Sequence, residues 1–394
     1  MLAQRLEFAP ERDAEIFAAV PPAAAVFLLR GPEGEPYVSK TANLKRRLAR
    51  LLGQAEERTR RLNLRHRAGT IEYTLTGSDF EAGFLLYKLL REHFPQSYAA
   101  RLRLRPAPLV KLHLENRYPR ASITTRPGRL TGRSLYYGPF PSRAAAEKFA
   151  SDSLDFFKMR RCVDDLHPDP AFPGCIYSEM KMCLAPCFKG CSDEEYAAEV
   201  ARVQNYFDSR GQSLARELAS AREQESAGLE FEAAAATHAR LEKLTPALSQ
   251  LPEVVHRLDQ LSALIVQRAA EENAVALFRV QAGAISGPVA FPVQPTAEQA
   301  AKSQSMESRV QQALAAFPQA PGVSSQERME HLAILRRWFY RGSRAGEIFF
   351  AGEKGALPMR RVVRGIGRVF HGERAETAAP AAGAAQMLQK EEPS

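Results

Sequence analysis

Apolar residues recur along this chain with two different periods, and the switches between them mark the elements. AVFLLRGPEGEPYVSK, residues 25–40, has apolar runs on either side of a Gly/Pro cluster and predicts two strands joined by a turn. TANLKRRLARLLGQAEERTRRL then takes up helical spacing, with Leu44, Leu48, Leu51 and Leu52 on one face and arginines elsewhere. TIEYTLT alternates as a half-buried strand does. SDFEAGFLLYKLLREHF predicts a second helix, N-capped by Ser78 or Asp79. Residues 14–100 therefore predict a small, compact α/β unit.

Residues 101–160 begin basic and strand-prone, from RLRLR through RPGRLTGR to LYYGPF, where Tyr136 and Tyr137 are candidates either to stack on an exposed base or to pack a strand. Helices at 143–158 and 192–207 flank the cysteines, the second of them closing the Cys-rich segment, 161–208. A helical hairpin over 210–250 breaks at Gly228. Residues 255–371 carry a strand hairpin (AVALFRVQAGAISGPVAFPV), helices at 327–342 and 357–370, and a strand in GEIFFAG: a mixed α/β region to which no motif assigns a role. The tail, 372–394, is rich in Ala, Glu and Pro and is expected to be disordered. The fold class predicted is α+β, multidomain.

Composition narrows the partners. The 394 residues carry 54 Lys+Arg against 45 Asp+Glu, a net charge of +9 that favours a polyanion. Arginine is densest at 45–67 and 101–133, where Lys45, Arg46 and Arg50 are candidate DNA-binding residues. The run IFAAVPPAAAVFLL is interrupted by Pro21 and Pro22 and preceded by acids, so it does not read as a secretory signal. No stretch reaches the ~20 apolar residues of a membrane span, and a cytoplasmic location with no membrane partner is expected.

In that compartment clustered thiols more often bind metal than pair with each other. Four of the five cysteines lie in CIYSEMKMCLAPCFKGC, with Cys162 just upstream. Cys162, Cys175, Cys183 and Cys187 are separated by twelve, seven and three residues, a set that suits either tetrahedral zinc or a [4Fe–4S] cluster.

Several stretches, in order, resemble the UvrC subunit of the bacterial excinuclease. YVSKTANLKRRL is similar to the signature of its N-terminal GIY-YIG endonuclease domain. LYYGPFPSRAAAEKF resembles the segment after that domain, and the cysteines match its Cys…Cys…Cys-x-x-Pro-Cys pattern. LEFEAAAATHARLEKL resembles the UVR motif, the hairpin that docks on the UvrB helicase. No segment resembles the family's RNase H-like half, so the chain is more similar to its short, single-nuclease members.

The resemblance implies roles residue by residue. Tyr37 falls on the second motif's tyrosine, Arg47 on the arginine that steadies the scissile phosphate, and Lys40 lies beside it. The first motif's tyrosine is Phe27 here, a glycine is Ser39, and the metal-binding glutamate is Leu86. The neighbours of Leu86 one turn away, Ala82, Gly83, Leu89 and Leu90, offer no substitute carboxylate. The resemblance thus implies a GIY-YIG scaffold with weak or lost chemistry. The alternatives are an active single-incision endonuclease using Mg2+ or Mn2+, and a non-enzymatic adaptor. It also implies a [4Fe–4S] cluster at Cys162, Cys175, Cys183 and Cys187, with Cys191 left spare. Leu229, Phe231 and Glu232 of the hairpin would meet a UvrB-type helicase.

Overall fold

The structure, a computed structural model, describes residues 2–54, 62–130, 132–295, 303–318, 322–352 and 355–373. Nearly all of the tail expected to be disordered, and Arg58, Arg60 and Arg61 of the first basic stretch, lie outside the described residues. The fold is α+β, with three four-stranded sheets in which every described strand pair is antiparallel.

The first sheet has the order β1-β4-β2-β3, from strands Gln4–Glu7 (β1), Ala25–Arg30 (β2), Tyr37–Thr41 (β3) and Thr70–Leu75 (β4). β2 reads as a continuous apolar run because both its faces are covered. Ala25, Phe27 and Leu29 pack against helices Asp13–Ala19 (α1) and Leu44–Leu52 (α2). Val26 points the other way, onto Ala82 and Leu89 of the helix Asp79–His93 (α3). α2 begins where the Asn43 side chain accepts from the Arg46 N–H, at 2.9 Å. α3 begins at Ser78, whose Oγ accepts from the Glu81 N–H at 3.1 Å. Of the two candidate caps Ser78 is therefore the one used, and Asp79 is the first helical residue.

After the short helix Tyr98–Leu102 (α4), the second sheet has the order β6-β5-β7-β8, from Leu109–Leu112 (β5), Ala121–Thr124 (β6), Leu135–Gly138 (β7) and His256–Arg257 (β8). Helix Arg143–Leu154 (α5) packs on it, and the Cys-rich segment with its one-turn helix Ile176–Glu179 (α6) leads to Asp193–Asp208 (α7). The hairpin is Gln212–Ala227 (α8) and Phe231–Ser249 (α9). Its base is buried through Leu214, Leu218, Leu241 and Leu244.

The third sheet, β11-β10-β9-β12, combines Ser262–Arg268 (β9), Ala274–Gln281 (β10), Ala284–Pro292 (β11) and Glu347–Phe350 (β12). Alternation assigns its faces. Leu264, Val266, Val275 and Leu277 meet helices Met306–Ala315 (α10) and Met359–His371 (α12). Ala263, Ile265, Ala276 and Phe278 join a larger core with helix Ser325–Phe339 (α11) and with Phe80, Phe84 and Tyr87 of α3. One continuous apolar core thus links the first helical layer to the third sheet. No described helix is long and apolar enough to cross a membrane.

Candidate functional site

β3 and α2 bring together two of the candidate residues, Tyr37 and Arg47. The Arg47 Nη2 donates to the Tyr37 hydroxyl at 2.7 Å, and the Tyr37 ring leans on buried Phe27 with centroids 6.0 Å apart. Lys40 does not join them. Three residues along a strand is an odd step, so its side chain leaves by the opposite face. There its ammonium is ion-paired with Asp79 at the start of α3.

Asp79 also accepts from Arg341 Nη1, at 2.6 Å. Burial would raise this carboxyl, but the hydrogen bonds and charges of Lys40 and Arg341 outweigh it and hold the group below the usual carboxylate range. The same face of α3 lines a cleft of about 250 Å3 with Gly83 and Leu86, closed on its far side by Arg337 and Arg341. A Cβ at Gly83 would meet nothing within 4 Å, so that wall stands open. The remaining acids of α3 point elsewhere: Glu81 is buried and accepts from the Gly77 N–H at 2.8 Å, and Glu92 is exposed. Desolvation pushes the Glu81 carboxyl up.

The cysteine segment is held from outside. Leu184 N–H donates to Lys158 O at 3.0 Å, and Asp169 N–H to Cys187 O at 2.9 Å. Buried Arg160 donates through Nε to Tyr118 O at 3.0 Å and through Nη1 to Asp164 O at 2.8 Å and to the Cys162 sulfur at 3.5 Å. Lys181, Ala185 and Lys189 all hold positive φ, at 55°, 56° and 59°. Strained non-glycine residues at this density persist only where the surroundings over-determine them, and they cluster at functional loops.

Cys183 has the most strongly perturbed thiol of the five. Burial pushes its thiol up to about 11, and the sulfurs of Cys162, Cys187 and Cys175 act in the same direction. All five cysteines are free thiols of intermediate burial. Among the described residues, however, no three Cys, His, Asp or Glu side chains form a group that could hold a metal ion. The thiols are neighbours, not a closed coordination sphere.

At the tip of the helical hairpin Leu229 is 72% and Phe231 66% exposed, with Glu232 exposed beside them. Lys45, Arg46 and Arg50 are exposed on the outer face of α2, a helix with no acid, and no side-chain ion pair engages them among the described residues. The second basic stretch is partly structural. Arg101 lies 3.7 Å from the centre of the Phe94 ring and bonds Glu35, and Arg117 pairs with Asp193. Tyr136 and Tyr137 are packed, not poised for a base. Both are buried, with the Tyr136 hydroxyl accepting from Gly128 N–H and Tyr137 donating to Asp208, each at 2.8 Å.

Comparison with known proteins gives the class first. Residues 108–206, covering β5 to most of α7, match the middle domain of the UvrC/Cho excinucleases. Over this stretch the chain is of the UvrC family. Similar curated proteins are each named UvrABC system protein C. That of Alcanivorax borkumensis is 30% identical over 208 residues, which is 53% of this chain and 34% of that protein. Those of Methanothermobacter thermautotrophicus and Desulforudis audaxviator are each 28% identical, over 68% and 71% of this chain and 45% of their own length. The chain therefore spans between a third and a half of the relatives it matches. No solved structure matches it.

Proposed function

We propose that this protein is a DNA-binding component of nucleotide excision repair whose nuclease-like unit binds DNA but cuts it weakly or not at all. The observation that carries the reading is the cleft face of α3. Leu86 stands there, and the one carboxylate nearby, Asp79, is already shared by Lys40 and Arg341. Phosphodiester hydrolysis at such a site calls on a divalent metal to offset phosphate charge and activate water. A hard cation needs an anionic oxygen anchor, and this face has none to spare. The Tyr37–Arg47 pair keeps the ability to hold a phosphate, with the guanidinium as the cation and the hydroxyl fixing its orientation.

The exposed Leu229 and Phe231 favour a second role as an adaptor. A two-helix tip with large apolar side chains in water gains by docking on another hairpin, and a UvrB-type helicase is the partner proposed. For the cysteine loop we infer a structural [4Fe–4S] cluster held by Cys162, Cys175, Cys183 and Cys187, with zinc as the alternative. The support is the donor chemistry of four thiols at this spacing. No catalytic step runs through it.

A plasmid-nicking assay with Mg2+ or Mn2+ tests the reading. Little or no nicking is expected from the natural chain, and Leu86→Glu should raise it if the missing carboxylate is the main defect. Robust nicking that Arg47→Ala abolishes would refute the proposal in favour of an active endonuclease.

A further inference from the structure

The last described helix, α12, reads MRRVVRGIGRVFH and contains no acid. Val362, Gly365, Ile366 and Val369 face the third sheet and are buried. Its approach to that sheet is close: a Cβ at Gly365 would come within 2.1 Å of the Phe349 ring. Helical spacing places Arg360, Arg364, Gly367 and His371 in one line on the opposite, outer side, with Arg361 on its flank. Arg360, Arg361 and Arg364 are exposed, and no ion pair or side-chain hydrogen bond engages them among the described residues. Arg368 is different, donating to both oxygens of Glu347 at 2.8 Å. A Cβ at Gly367 would touch nothing within 4 Å, so the outer line is low enough for close approach. Exposed Arg268, likewise without an ion-pair partner among the described residues, reaches to 3.9 Å from a Cβ placed at Gly372 and continues the charge past the end of the helix.

This arrangement works against the helix that carries it. Like charges one turn apart repel, and cations in the first turn oppose the helix dipole. The charge therefore has no source of stabilisation within the fold. A membrane surface is a poor match, because an interfacial helix must insert its apolar face and here that face is already buried. A protein partner is also a poor match, since the outer line offers no exposed aromatic or large aliphatic side chain to anchor one. A phosphate backbone needs only cations and room to approach.

We propose that α12 is a second DNA-backbone contact surface, in which Arg360, Arg361 and Arg364 meet phosphates and Arg268 extends the track. From Arg360 to His371 the line runs about 17 Å at 1.5 Å per residue. That is the axial span of about five phosphates on one strand. The inference rests on the DNA-binding reading above and adds a surface on the part of the chain that reading leaves without a role.

The test is fluorescence anisotropy of the full chain on a short duplex of arbitrary sequence, across a salt series. Three variants are compared: R360A/R361A/R364A, R360K/R361K/R364K and, on the first basic helix, K45A/R46A/R50A. The alanine variant of α12 should lower the slope of log affinity against log salt by about two to three, while the lysine variant keeps it. The α2 variant should lower the slope separately. An α12 alanine variant that melts like the natural chain and keeps its slope, while the α2 variant loses slope, overturns this inference and leaves the DNA-binding reading standing. A lysine variant as impaired as the alanine one also overturns it, because charge would not be the cause. A natural chain with no salt-dependent binding overturns both.

Discussion

Glu330 joins α11 to α3 and α4, and its removal should loosen that junction selectively. The side chain is 8% exposed. Its Oε2 accepts from the Tyr87 hydroxyl of α3 at 2.7 Å, and its Oε1 accepts from the Tyr98 hydroxyl of α4 at 2.5 Å. Burial, then the adjacent carboxylate, pushes the Tyr87 phenol far above its ordinary range, so it stays a donor. Glu330→Ala strands both hydroxyls. The Gln326 amide nitrogen, which donates to the Tyr98 oxygen at 3.1 Å, offers neither hydroxyl an acceptor. Each buried donor left without an acceptor costs about 1–3 kcal/mol, giving about 2–6 kcal/mol for the pair. At roughly 2 °C per kcal/mol the melting midpoint falls by about 4–12 °C. Hydrogen exchange should quicken in α3 and α11 and leave the tip of the hairpin unchanged. The triple change Y87F/Y98F/E330L, which removes donors and acceptor together, should recover most of the loss. A Glu330→Ala chain that melts with the natural one, with unchanged exchange in α3, would show that the network carries no stability.

Two further outcomes concern His331 and the cysteine loop. The His331 Nδ1 accepts from the Ile285 N–H at 3.1 Å, and burial pushes the imidazole down to about 4 from an ordinary 6.5. Because the unfolded chain takes up the proton first, stability is full above about pH 6.5 and is lost as pH falls toward 4, by about 2 kcal/mol at pH 5. Urea melts at pH 7.5 and 5 should show that loss, and His331→Gln should reduce it; an undiminished loss in the variant would place its origin elsewhere. In the cysteine loop, Cys175→Ser or Cys187→Ser should strip iron or zinc from anaerobically purified protein and quicken exchange over 160–190, while Cys191→Ser keeps the metal. A natural chain that is folded and metal-free would leave these residues as ordinary thiols.

What could be read in advance divides by the range of the signal. The 25–40 hairpin, α2 and α3 are written in local terms: a Gly/Pro turn, leucines at helical spacing and a serine cap. β1, which pairs with β4, carries little apolar signal in QRLE, and β8 is two residues long and exists only because β7 lies beside it. β9 is a central strand with both faces covered, so SALIVQR shows no clean alternation. At the candidate site, adjacency in sequence grouped Lys40 with Tyr37, although strand parity puts it on the other face. The free arginines of α12 were equally visible, but a sequence cannot say which cations have partners. The second basic stretch shows the converse, with Arg101 and Arg117 engaged inside the fold.

The apolar cleft residue Leu86 and the docking of the C-terminal region are connected through α3. One side of that helix covers the first sheet through Ala82 and Leu89. Another presents Phe80 and Phe84 to Phe278, with ring centroids 4.9 and 6.1 Å apart, and Phe80 to Trp338 at 5.1 Å. A helix clasped in this way has little surface left in its first two turns, where the strip of Asp79, Gly83 and Leu86 remains. Arg341, from just beyond α11, takes one oxygen of Asp79 and so closes that strip from the C-terminal side. The region without a motif is therefore the far wall of the cleft as well as a platform for α12. A glutamate introduced at position 86 would face Arg337 and Arg341 as well as Lys40 across this cleft, and those cations would compete with a metal for it. For that reason the charge of the C-terminal wall belongs to the chemistry of the site as much as residue 86 does.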